Sequence, residues 1–570
     1  MINLFFNIFA ASYFTYSAGL IFTKLIFKKN YKLNFFEYGI YGIVCLGFIS
    51  LFINFFLPIN KAFNSFLLIT IILISFSNLS KVKFRSIIKY LTLIALFSLF
   101  TVAYDNNYRP DSGSYHLPYV SILNEYKIIF GLSNLHYRFG HTSIIQHISS
   151  IYNNHLFGNE GIIIPLVILQ ANIVGHFFYK IFFSKKKTNP LNYIFASIIL
   201  SFILIYNNRY SNLGNDAPAA LCFFYLISKF FEIDKKKIND CINLFLISTF
   251  IFLNKITMIF SFLIPLFFFK NYKLKSLIRD KVIIFSLIFC SLFLTKNLIN
   301  SGCLIFPVEQ VCFKNLKWYD YNSDRRSNAV NAKVETEAWS KGWSDQKIQK
   351  QDFVSYLEGS DWIKVWVKNH GIETLKRLTN FLIYFLILII FLIVSFLKNN
   401  KKNKPNPIQK ENLLFFALGI SAIGTIFWFF NSPTFRYGYG YIITFFVLVF
   451  LMIIRNKLSF ILNNFNKFNK TIFIIIFCII FLKHTNRIID NFHSKPVVPN
   501  IYSDDSVNVY RKNHKILKNK KTFFYIPNKK YDVGMCYYSA PPCTHTYSDI
   551  DPDKLILDNF YNYKIYYYRD

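Results

Sequence analysis

Asp111, Asp216, Lys255 and Arg436 each stand at an end of a long apolar stretch of this 570-residue chain. A charge held against hydrocarbon is costly, about 2.5–3.5 kcal/mol at a helix centre, so groups retained there invite a functional reading. One carboxylate with one or two cations is the set that group transfer from a phosphate needs. The carboxylate takes the proton of an acceptor hydroxyl, and the cations stabilise the departing phosphate. Asp111 is the best candidate base, because Tyr104 to Pro118 gathers Asp105, Arg109, Asp111 and His116 into one short turn. Blander readings stand beside these. Asp111 can cap a helix starting near Ser114, Asp216 can cap the turn opened by Ala217-Pro218, and Lys255 and Arg436 can snorkel to an interface.

Such residues need a membrane to position them. Hydrophobic residues make up 53% of the chain and charged residues 16%, and 68 Phe with 38 Tyr exceed what a water-soluble fold can bury. The net charge of +34 falls in short clusters between apolar runs, the pattern of cytoplasmic anchors and not of a nucleic-acid surface. Unbroken Leu/Ile/Phe runs also exclude a soluble enzyme, a disulfide-stapled secreted domain and an outer-membrane barrel, whose strands alternate.

Apolar stretches predict about fourteen transmembrane helices, at 3–27, 37–57, 62–79, 88–104, 161–183, 191–207, 216–231, 240–254, 257–269, 281–299, 376–397, 411–430, 438–455 and 470–484. The first lacks a basic leader and reads as a retained helix, not a signal peptide. Lys and Arg number 27 in the connections assigned to the inner face, against Lys61, Arg209, Lys255 and Arg436 in the short outer ones. That asymmetry predicts a multi-pass protein of the cell (inner) membrane with both termini extracytoplasmic. It also splits the run 243–269, basic on both flanks, into two short helices meeting at Asn254-Lys255-Ile256-Thr257.

Three long segments, 105–160, 300–375 and 485–570, are then left outside, where chemistry or recognition would be housed. Helical spacing in the first predicts amphipathic helices over 116–130 and 142–157, lying as a shelf along the outer interface. His116, His136, His141, His147 and His155 crowd this segment without converging on a metal, and read as solvated or interfacial. The second segment holds five of the six Trp, which either seat it at the headgroups or stack on sugar rings. The third carries β-like runs such as Thr522 to Ile526 and predicts a small C-terminal α/β lobe. Cys303 with Cys312, and Cys536 with Cys543, are close outer pairs that an oxidising compartment would join as disulfides.

Asp111-Ser112-Gly113-Ser114-Tyr115-His116-Leu117-Pro118 resembles the first outer loop of the membrane-embedded glycosyltransferases of the GT-C superfamily. In order along the chain, Gly214-Asn215-Asp216-Ala217-Pro218, the Lys296 to Pro307 stretch and Ser432-Pro433-Thr434-Phe435-Arg436-Tyr437-Gly438 are similar to later features of that superfamily. Cys303 and Leu304 depart from its usual pattern, as does the lack of a second acid beside Asp111, which leaves a divalent metal open.

The resemblance covers roughly 88–455 and implies an all-α polytopic, GT-C-like fold. Its divisions would be N-terminal helices over 1–87, a core over 88–484 and a C-terminal lobe over 485–570. It further implies transfer of a sugar from a polyprenyl-phosphate donor to a hydroxyl of a glycan or lipid acceptor on the outer face. Asp111 would be the base, and Tyr115, His116, Asp216, Lys255 and Arg436 would bind substrate. A transporter or flippase of lipid-linked glycans, and a polysaccharide polymerase or ligase, are the alternatives. No nucleic-acid partner is expected.

Overall fold

The computed structural model describes residues 1–570 apart from 29–30, 32, 77–80, 106–108, 184–188, 212, 234–237, 270–271, 320–326, 344–351, 380, 383–410, 456–473, 475–476, 494–495, 499–500, 502–514, 520–521, 527–534, 546–553 and 569–570. The predicted span at 376–397 lies largely outside the described residues; of that at 470–484, residues 477–484 are described and helical.

The chain is mostly helical. Among the described residues seven helices are long and apolar enough to cross a membrane: Ile2–Ile26, Phe35–Asn54, Phe84–Val102, Asn159–Phe182, Lys281–Ser301, Glu411–Asn431 and Phe435–Ile453. Shorter apolar helices occupy Lys61–Phe76, Pro190–Ile205, Asp240–Asn254 and Ile256–Phe269, and the Asp216–Glu232 helix is buried among them.

Local sequence explains the boundaries. Asn34 and Glu37 form a capping box at the start of Phe35–Asn54, and Gly302 closes Lys281–Ser301 in the left-handed conformation. The first two helices meet backbone to backbone: a Cβ on Gly42 would lie 1.9 Å from the Thr15 carbonyl oxygen, so only glycine fits. Lys61–Phe76 buries Asn64, Leu68, Ile71 and Ser75 and leaves Phe66, Ile69, Leu73 and Phe76 exposed, a face suited to hydrocarbon. At the end of Asp216–Glu232 opposite Asp216, Lys229 binds Glu37 at 2.9 Å and Lys180 binds Glu232 at 2.5 Å. These pairs tie three helices together at that end.

The run 238–269 is broken at Lys255. Ile238–Asn254 is α-helical, Ile256–Phe262 is a 3-10 helix and Leu263–Phe269 returns to α. The arms fold back on each other, with Ser248 Oγ donating to Ser261 O at 2.9 Å and Phe252 packed on Phe262.

The first outer segment departs from expectation. Its helices are short, Leu117–Glu125 and Ile144–Ile151, and they are no interfacial shelf: all eight residues of Ile144–Ile151 are buried. Its polar positions explain this. Asn64 Nδ2 and Asn124 Nδ2 reach Ser150 O, and Ser50 Oγ reaches His147 O, so the helix is hydrogen-bonded into the bundle on several sides.

The C-terminal α/β lobe expected over 485–570 opens on the end of a helix, 477–491, and its described residues after 500 contain two two-stranded antiparallel sheets and no helix. Lys515–Asn519 pairs with Thr522–Ile526, and Leu555–Phe560 with Tyr563–Tyr568. The second hairpin is continuous with the first outer segment through a parallel bridge between Phe130 and Ile565.

Candidate functional site

Ser112–His116 forms one π-helical turn that runs directly into Leu117–Glu125. Asp111 stands at its N-cap position, yet its side chain makes no capping hydrogen bond. The carboxylate instead accepts from Arg436, Oδ2 to Nη1 at 2.5 Å. Arg436 is the second residue of Phe435–Ile453, and its Nη2 also donates to Tyr437 Oη at 2.8 Å.

The second pair of charges forms close by. Asp216 opens its helix behind Asn215, which makes no side-chain cap, and its carboxylate binds the Lys255 ammonium. Lys255 can do this because the chain breaks there and turns its side chain across to Asp216; the same ammonium sits 4.1 Å from the centre of the Tyr437 ring. Tyr437 therefore contacts both cations.

A cavity of about 400 Å³ lies between these elements. Asp216, Lys255, Tyr115 and Tyr437 line it. Asp111 and Arg436 do not line it themselves; Arg436 adjoins it through its hydrogen bond to Tyr437, and about a third of the Asp111 side chain and somewhat under half of the Arg436 side chain are exposed. Apolar wall comes from Leu253, Ile256, Phe306 and Phe427, and Ile259 and Val308 are exposed at its rim.

Arg138 and Thr142, not singled out from the sequence, also line the cavity, as does His141, which the sequence reads as solvated or interfacial. Arg138 lies over the Tyr115 ring at 5.5 Å. The signal for it was available: with Arg109 and Lys127 it is one of three basic residues in the first outer segment, 105–160. From the second outer segment, Lys333 and Glu337 face the cavity. None of the five Trp of that segment does; Trp362 and Trp366 pack on Phe429, and the sixth, Trp428, is the one in the wall.

Electrostatics set the protonation states. Burial pushes the Asp111 carboxyl up, but Arg436, His116 and Arg138 outweigh it and hold the group below its ordinary range. Burial drives His116 down to about 4, against the pull of Asp111 and Asp216. The imidazole is therefore neutral at pH 7. Its tautomer follows from its partner: Gln146 accepts from Ser143 N through Oε1 and so presents Nε2 to His116 Nδ1 at 2.9 Å, which leaves the proton on the ring's Nε2.

Of the histidines expected to be solvated or interfacial, most are not solvated. His116, His136 and His147 are buried and His141 is half-buried; only His155 of the five is exposed. Aromatic and amide neighbours replace water around them, as Tyr119 does at His147. Among the described residues no three His, Cys, Asp or Glu side chains converge as a metal site. Both outer cysteine pairs are disulfides, Cys303–Cys312 and Cys536–Cys543.

The family model for a domain of unknown function, DUF8201, matches residues 1–443. The chain belongs to that family. No curated protein and no solved structure matches it. The DUF8201 match contains Asp111, Tyr115, His116, Asp216, Lys255 and Arg436 together with the cavity that Tyr115, Asp216 and Lys255 line. Cys536, Cys543 and both C-terminal hairpins lie beyond the DUF8201 match.

Proposed function

We propose that this DUF8201 protein is an integral membrane glycosyltransferase that moves a sugar from a polyprenyl-phosphate donor to a hydroxyl acceptor on the outer face of the cell membrane. The observation that carries the reading is the Asp111–Arg436 pair joined through Tyr437 to a cavity whose walls hold Lys255 and Arg138. In this reading the chain crosses the membrane about fourteen times in a GT-C-like arrangement with both termini outside. The exposed apolar rim at Ile259 and Val308 supports a donor whose lipid tail stays in the bilayer while its phosphate reaches the cations.

The ion pair gives the mechanism an order. A carboxylate bound to Arg436 is a poor base, because the charge that would attract a proton is already neutralised. When a donor phosphate arrives, the guanidinium exchanges Asp111 for the phosphate oxygens, a geometry that suits its fork. Asp111 is thereby freed to take the acceptor proton as the acceptor oxygen attacks the anomeric carbon, and Arg436 with Lys255 stabilises the phosphate that leaves. Neutral His116, with its Nε2–H, serves as a donor to substrate and carries no proton away.

Full-length protein in lipid, incubated with a panel of radiolabelled polyprenyl-phosphate sugars, tests this directly. Wild type should transfer label, and Asp111→Asn should lose about 10²- to 10⁴-fold of that rate while remaining folded. A variant that keeps most of the rate would remove Asp111 as base; a wild type inert toward every lipid-linked donor would remove glycosyl transfer.

A further inference from the structure

The turn that carries Asp111 is not held by the helical bundle alone. Tyr537, between the disulfide-bonded Cys536 and Cys543, donates its backbone N–H to Gly113 O at 2.7 Å, two residues from Asp111. Its ring and the Met535 sulfur lie against Gly113 so closely that an added Cβ would stand 3.1 Å from each. Tyr537 itself is held at a φ of 49°, a left-handed backbone that a tyrosine adopts only when its surroundings over-determine it.

The rest of the disulfide loop fastens onto the helix that follows the turn. Ser121 Oγ donates to Ser539 O at 2.6 Å, and the Tyr538 hydroxyl bridges Asn124 and Asn153. Just after Cys543, the His545 ring stacks on His136 with 4.7 Å between centroids, beside the cavity residue Arg138. Both disulfide sulfurs are buried in this joint. All of these contacts come from residues beyond 443, where the family match ends.

We infer that the C-terminal disulfide loop Cys536–Cys543 is a positioning element for the Asp111 turn, so that the reacting geometry depends on a segment outside the family domain. Without the disulfide the loop becomes free to leave Gly113, and Ser112–His116, a single π-helical turn with few hydrogen bonds of its own, loses the contact that fixes where Asp111 points. The catalytic part of this inference rests on the reading of Asp111 as the base; the clamp itself does not.

Hydrogen exchange on the full chain in detergent separates the two. In wild type, the Tyr537 amide should be protected to the same degree as the 112–117 amides; free-peptide exchange at Tyr537 would overturn the clamp without any variant being made. In Cys536→Ser/Cys543→Ser, exchange over 112–117 should rise at least tenfold while the Ile164–Phe182 helix stays protected. Cys303→Ser/Cys312→Ser should leave 112–117 unchanged. An equal rise with both pairs, or none with Cys536→Ser/Cys543→Ser, would overturn the proposal. Where transfer is measurable, the Cys536→Ser/Cys543→Ser protein should lose about a hundredfold in kcat with little change in donor KM, as a misplaced reacting group does; a change confined to KM would defeat the positioning role. If wild type transfers nothing, the exchange results still decide the clamp, and it is the functional reading that falls.

Discussion

Asp111 and Arg436 are 325 residues apart in the chain and joined by an ion pair of 2.5 Å. The pair links the first outer segment to the start of the Phe435–Ile453 helix, and it sets the basicity of the carboxylate. Arg436→Gln removes the main influence that lowers the Asp111 pKa. A lowered pKa keeps the carboxylate ionised to lower pH, so losing the arginine should move the acid limb of kcat/KM toward higher pH. A pH–rate profile of transfer measures this, and a limb that stays in place would detach Asp111 from the rate. Stability should change by no more than about 1 kcal/mol, because both side chains are partly exposed.

The Asp216–Lys255 pair is more enclosed, with 17% and 11% of the side chains exposed. Lys255→Met should therefore cost about 3 kcal/mol by leaving a carboxylate without its cation, near the lower end of what breaking a buried pair costs. Asp216→Asn/Lys255→Met together should restore most of the melting temperature while leaving donor binding weak. Additive losses in that double variant would mean the two residues do not act as a pair.

Acid should loosen this end of the molecule before it reaches the usual carboxylate range. Burial lowers His116 and His545 to about 4 and His141 to about 3. A histidine whose folded pKa lies below its unfolded value of about 6.5 binds fewer protons folded than unfolded, so stability is complete above 6.5 and falls as pH drops toward the folded pKa. The slope is about 1.4 kcal/mol per pH unit for each such group. Melting in detergent between pH 7 and 4.5 should show this fall, and His116→Gln should flatten it by one proton's share; an unchanged slope would mean His116 is not buried neutral.

Much of this was readable from residue type and position. Lys255 marks a helix break because the run 243–269 is basic on both sides and cannot be crossed once without inverting the charge pattern. Asp111, Asp216 and Arg436 stood out because charges at span ends are costly. Which carboxylate meets which cation was not readable, since pairings across 325 and 39 residues are set by how helices pack. The burial of His116 and His147 was missed for a related reason. Helical spacing identifies an apolar face, but it does not say that a second face is covered by Ser50 of Phe35–Asn54 and by Asn64 and Asn124. The C-terminal strands were legible as strands, whereas their attachment through Phe130 and Ile565 is a non-local pairing with no local signal.

Ile256–Phe262 and Leu263–Phe269 contribute seven residues each to the arm that follows Lys255. At about 2.0 Å per residue in the 3-10 part and 1.5 Å in the α part, that arm is roughly 25 Å long, about 5 Å less than the hydrocarbon of a typical bilayer. A bilayer meeting it must thin on that side or let the interface dip toward the Lys255 end. An anionic headgroup beside Ile259 would then descend to the cations with its hydration largely intact. On the proposed reading, in which this arm crosses the membrane and the donor is a lipid, membrane thickness, set by the acyl chains of the surrounding lipid, would then tune access to the site.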